Sequence, residues 1–174
     1  MVNSFGGNFF LSIIIHSIFG VFIRLMYDLG GFRTIFDSVF GISNYAGKFN
    51  YSSLIGDIFK YNDFSIKIWL EFFLYRYSII VLMFSLIFTL IFCVMYRTKK
   101  SGDDLTPTWN IFAIILLFIC LVGGIAYTPI VDFGLLIFSY ITYLLVGFLP
   151  FYLSTLILCG TTAVGSYKIK KRFS

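Results

Sequence analysis

Charge is what this sequence has least of. Thirteen lysines and arginines and eight aspartates and glutamates make up only 12 % of its 174 residues, against about a quarter in soluble domains. A water-soluble fold of this size leaves much of its surface exposed, and so few charges cannot cover it. That shortage excludes most soluble-enzyme readings. Histidine is scarcer still. His16 is the single one, which rules out paired-histidine zinc motifs, a haem held by two histidines of this chain, and any histidine-rich metal cluster. Cys93, Cys120 and Cys159 lie far apart inside apolar stretches, without a Cys-x-x-Cys pair. They read as small buried apolar residues, not as disulfides or metal ligands. Glycine-rich phosphate loops and nucleophile elbows are missing too. The net charge of +5 is spread through loops and suits acidic headgroups or an acidic partner, not nucleic acid.

What fills the chain instead is hydrocarbon. Hydrophobic residues reach 59 %, with 23 phenylalanines and 12 tyrosines, and the mean hydropathy is +0.94. The expectation is an all-α integral membrane protein. A span takes about 20 apolar residues to cross about 30 Å of hydrocarbon, and only a helix satisfies its own backbone there. Four stretches qualify, at about 5–23, 77–96, 109–127 and 132–160. The first lacks the basic leader and small-residue cleavage site of a signal peptide. Gly30-Gly31 follows it as a stop. Thr106-Pro107-Thr108 opens the third. The fourth is overlong and interrupted by Pro150, so it reads either as one kinked, tilted helix or as a span plus an interfacial turn.

Between the first two spans, about 30–75, charges alternate with aromatics and glycines. Ile66, Trp69, Leu70 and Phe73 recur at helical spacing opposite Lys67 and Glu71, the pattern of an amphipathic helix lying at headgroup depth. Asn50-Tyr51-Ser52 is a lone glycosylation sequon. Arg97, Lys99 and Lys100 precede the third span, and a basic tail, 168–174, follows the fourth. The positive-inside tendency puts that loop and that tail on one side, together with the N-terminus, and puts 24–76 on the other.

One segment carries candidate chemistry: His16-Ser17-Ile18-Phe19-Gly20-Val21-Phe22-Ile23-Arg24-Leu25-Met26-Tyr27-Asp28. On a helix His16 and Gly20 share a face, which Arg24 and Tyr27 continue. An imidazole is a good axial ligand for haem iron, and a glycine one turn away removes the side chain that would meet a flat macrocycle. Arg24, Tyr27 and Asp28 then form a polar cluster near the water boundary, able to hold propionates, headgroups or a quinone carbonyl. The same residues admit a purely structural meaning. A histidine in a membrane helix can hydrogen-bond to a neighbouring helix, worth about 1 kcal/mol. Gly20 can be a packing notch, and Arg24 with Asp28 an ordinary i, i+4 pair.

The run His16-x-x-x-Gly20, followed by Leu25-Met26-Tyr27-Asp28-Leu29-Gly30, resembles the haem-bearing helix of the membrane-anchor subunits of succinate dehydrogenase (respiratory complex II). The resemblance covers about residues 16–31. It implies that His16 supplies one of two haem b ligands, the other coming from a partner subunit. It also implies a ubiquinone site shaped by Gly20, Arg24, Tyr27 and Asp28, with electrons arriving from an iron–sulfur subunit. Other membrane subunits and lipids would be the remaining partners. The implied location is the mitochondrial inner membrane, with the bacterial inner membrane as the alternative. The chain would not be an enzyme alone, since it carries no flavin or iron–sulfur motif. The competing expectation is an accessory structural subunit of a large membrane assembly, without a cofactor. An anchor of a secretion or conjugation machine is a third class, and a transporter the least favoured, because the second and third spans hold no ionisable residue.

Overall fold

Four apolar helices long enough to cross a membrane dominate the chain, and in the computed structural model they pack side by side. The structure describes residues 5–40, 74–98, 105–127 and 133–159. Among these there is no strand. Helix α1 (Phe5–Asp28) is followed by the short α2 (Gly31–Phe40), then by α3 (Tyr75–Thr98) and α4 (Thr106–Tyr127). The last span consists of α5 (Phe133–Tyr143), a π-helical turn at Leu144–Phe148, and α6 (Leu149–Cys159). The chain is an all-α membrane protein.

The helices start and stop for local reasons. Runs of Ile, Leu, Phe and Val leave no alternative to internal backbone pairing in lipid. α1 continues five residues past Ile23, the expected end. It can do so because Arg24 and Asp28 lie on an exposed side and pair with each other. Gly30 then turns the chain with φ of 66°, a left-handed conformation that glycine enters without steric cost. α2 was not expected as a separate helix. Its sequence alternates Phe32, Ile35 and Val39 with Arg33, Thr34, Asp37 and Ser38, and so presents one apolar and one polar face. The amphipathic helix expected near 64–75, the Asn50 sequon and the basic tail lie outside the described residues.

Pro150 neither ends nor sharply divides the last span. A proline has no N–H and its ring collides with the carbonyl four residues earlier. Here the preceding turn widens, and the Leu149 N–H reaches back five residues to the Leu144 carbonyl. Of the two alternatives the single helix is the one observed, running from Phe133 to Cys159 through a π turn.

α3 is the central element. Its neighbour α1 runs antiparallel to it, as the pairs His16–Ser85 and Arg24–Tyr75 show. α4 is also antiparallel to α3, with Tyr77 donating its hydroxyl to the Ile119 carbonyl at 2.8 Å and Phe88 stacked on Phe112. Close approach depends on glycine. A Cβ at Gly123 would overlap the Tyr77 ring, and one at Gly147 would overlap Val81. This is small-residue packing, which takes the place of a hydrophobic driving force inside a bilayer. Trp109 anchors α4 to α6 by stacking on Phe151 and donating its indole N–H to the Thr155 hydroxyl at 3.0 Å. Cys93 and Cys120 are buried.

Candidate functional site

His16 sits in the middle of α1 with 2 % of its surface exposed. Its Nδ1 lies 2.9 Å from the carbonyl oxygen of Ser12, one turn earlier on the same helix. A carbonyl can only accept, so Nδ1 carries the proton and donates it. That leaves Nε2 as the acceptor of the neutral ring, and the Ser85 hydroxyl of α3 donates to it across 3.0 Å. The Ser85 carbonyl in turn accepts the Thr89 hydroxyl at 2.8 Å. Both imidazole nitrogens are engaged within the chain.

Gly20 faces the same neighbour. A Cβ there would be in van der Waals contact with Leu82 of α3, 3.5 Å away. The side of α1 that bears His16 and Gly20 is therefore closed by α3. A haem bonded to His16 needs Nε2 aimed at open space and a macrocycle-sized gap over Gly20. In this arrangement Nε2 is taken by Ser85 and the gap holds Leu82, so the residues present do not fit a haem at His16. Among the described residues no group of three histidine, cysteine or acidic side chains could hold a metal ion.

Arg24, Tyr27 and Asp28 form a separate group at the end of α1, in which Arg24 and Asp28 are exposed and Tyr27 is half-buried. Arg24 donates from Nε to Asp28 Oδ2 at 2.8 Å and from Nη1 to the Tyr75 hydroxyl at 3.2 Å. Tyr27 stacks on Tyr75 with ring centroids 4.3 Å apart. The guanidinium lies 5.5 Å and 5.9 Å from the two ring centroids, within the range of a cation–π contact. More than half of the Arg24 side chain and over two fifths of that of Asp28 remain exposed. The result is a cation with two phenols and a carboxylate at the edge of the hydrophobic span. It offers donors and acceptors to a headgroup, a partner chain or a polar ring.

No family model, curated protein or solved structure matches this chain. Its functional reading therefore rests on this geometry and on the local resemblance of residues 16–31.

The five residues singled out from sequence thus divide in two. His16 and Gly20 join α1 to α3 in mid-span, while Arg24 and Tyr27 meet Tyr75 of α3 one to two turns later, where Arg24 and Asp28 are exposed. Ser12, Ser85 and Tyr75 complete both groups, and sequence reading missed all three. A serine in the middle of an apolar span was a visible signal, because a hydroxyl in hydrocarbon needs a partner. Nothing in the spacing paired Ser85 with a histidine 69 residues away.

Proposed function

We propose that this chain is a membrane-anchor subunit of a respiratory electron-transfer assembly of the succinate:ubiquinone oxidoreductase kind, acting as a scaffold in the mitochondrial inner membrane. The observation that carries this is the state of α1. The helix with the resemblance is the least buried span, with only 17 % of its apolar window covered by the rest of the chain against 39 % for α3. It also ends in the Arg24–Tyr27–Asp28–Tyr75 cluster, whose charged pair is exposed. A helix so poorly covered by its own chain, with a polar cluster at its tip, suits docking to further subunits. The cluster is where a quinone head group or an extramembrane iron–sulfur subunit would find hydrogen-bonding partners. His16 has a different task in this reading. It ties α1 to α3, and haem ligation by His16 is not part of the proposal, because Ser85 would have to release Nε2 first.

The test is isolation of the tagged full-length chain from its native membrane in mild detergent. Co-purification of a flavoprotein and an iron–sulfur subunit with succinate–quinone reductase activity is the expected result. Recovery with a different assembly would overturn the respiratory assignment. In the same preparation, His16→Ala should leave any b-type absorption spectrum unchanged. A spectrum lost in that variant would return His16 to the role of iron ligand and overturn the closed-site assignment.

A further inference from the structure

Several buried hydroxyls of this bundle are satisfied close to home. Thr89 donates to the Ser85 carbonyl, Thr142 to that of Phe138 and Thr155 to that of Phe151, each one turn back on its own helix. That is the local solution open to a hydroxyl in a helix. Ser78 and Ser154 do not use it. Both are fully buried, and their hydroxyls have no hydrogen-bond partner among the described residues. A buried polar group of this kind calls for a partner such as an ordered water. Ser154 is the one that has further hydroxyls at its own level.

α6 packs against both α1 and α3. The last span runs parallel to α3, since Tyr143 meets Tyr77 and a side chain at Gly147 would meet Val81. The same offset carries Ser154 to the level of Phe88 and Thr89. Ser154 lies about two turns beyond Gly147, so both are on the face turned to α3. Phe151 and Thr155, on one flank of that face, meet Trp109 of α4, which leaves Ser154 on the flank nearer α1. α1 runs the other way, with Gly20 opposite Leu82 and His16 opposite Ser85, so Ser12 reaches the level of Thr89. Ser12, Thr89 and Ser154 are all fully buried. Three helices thus bring three small hydroxyl residues to one layer, a turn beyond the His16–Ser85 bond, and leave space there that leucines would fill. The Thr89 hydroxyl has given its proton to the Ser85 carbonyl and can only accept another. Buried waters make about three hydrogen bonds to groups of this kind. We propose that α1, α3 and α6 enclose one ordered water in this layer. It takes the Ser154 proton and donates to the Thr89 and Ser12 hydroxyl oxygens, and so joins α6 to the two helices that His16 ties together. The site belongs to the bundle itself and is the same whatever assembly the chain joins.

X-ray radiolysis of the full chain in nanodiscs prepared with heavy-oxygen water tests it, because the radicals form where water is bound and mark the side chains beside it. His16, one turn from the layer and 2 % exposed, should take up the heavy oxygen. Cys120, equally buried on α4, should not. Ser154→Val, which puts methyl groups where the hydroxyl was, should remove the His16 label. Thr89→Val, which keeps the shape and loses the acceptor, should reduce it. Thermal unfolding in detergent supplies an independent readout. Ser154→Ala should lower the midpoint, since the water loses a partner, whereas deleting a hydroxyl that had none would raise it. An unlabelled His16, a label unchanged in either valine variant, or an unchanged or higher midpoint for Ser154→Ala overturns the proposal.

Discussion

A histidine placed in hydrocarbon must satisfy two ring nitrogens, and the way it does so fixes what it can still do. In α1 the Ser12 carbonyl takes the Nδ1 proton and the Ser85 hydroxyl caps Nε2, which turns a potential ligand into an interhelical tie. Hydrogen bonds of this kind between membrane helices average about 0.6 kcal/mol and reach about 1.7. Glycine contacts work by exclusion and are less forgiving. The Tyr77 ring lies where a Gly123 side chain would go, and its hydroxyl is held by the Ile119 carbonyl, so the ring cannot swing away freely. Overpacking at such a point costs about 1–3 kcal/mol. Thermal unfolding in detergent should therefore rank the variants, with Gly123→Ala lowering the midpoint more than Ser85→Ala. The reverse order would mean that the His16 tie, not the α3–α4 glycine contact, dominates the bundle.

At the scale of elements, the last span shows how a helix tolerates a proline. In a regular helix interior proline costs about 3 kcal/mol relative to alanine. The π turn at Leu144–Phe148 already redirects the Leu149 N–H to Leu144, and it also sets Gly147 against Val81. Pro150→Ala should therefore raise the unfolding free energy by much less than about 3 kcal/mol in a detergent denaturation series. Gly147→Ala should lower it, because the added methyl displaces a fully buried Val81. A full gain from Pro150→Ala would show that the turn carries strain it has not relieved. The elements themselves were largely legible in the sequence. Uninterrupted apolar runs bounded by Arg76, Arg97 and Thr106-Pro107 mark spans because lipid allows nothing else. The end of α1 was less legible. Arg24 looks like a boundary until its pairing with Asp28 and its contact with Tyr75 are known. α2 was hidden because ten residues of mixed polarity resemble a loop when the apolar surface they pack against is unknown. The site was readable as a set of residues but not as an arrangement. The role of His16 turns on Ser85, and contacts between distant spans leave no trace in local spacing.

The molecule as a whole has a direction, and it follows from the antiparallel order of its helices. Contacts between α1 and α3, and between α3 and α4, advance along one helix while receding along the other. The turn at Gly30, with α2 attached, therefore lies on one side of the bundle, and the Arg97 end of α3 lies on the other. Arg97, Lys99 and Lys100 put a concentrated positive charge next to that end of α3. The charge bias that orients membrane proteins counts short loops near span ends, so this end should face the matrix or the cytoplasm. Thr98 and Ser38 are both exposed and report the two sides. In sealed vesicles of known orientation, a membrane-impermeant thiol reagent should label Thr98→Cys from the matrix or cytoplasmic face only. Ser38→Cys should be labelled from the opposite face only. The native Cys93 and Cys120 are buried and should stay silent, and Cys159 is replaced by serine in both variants so that it adds no label. Labelling of both positions from one face would break the antiparallel order of α1 and α3. With it would go the joint presence of the His16–Ser85 and Arg24–Tyr75 contacts, which together require α3 to run back as α1 runs forward.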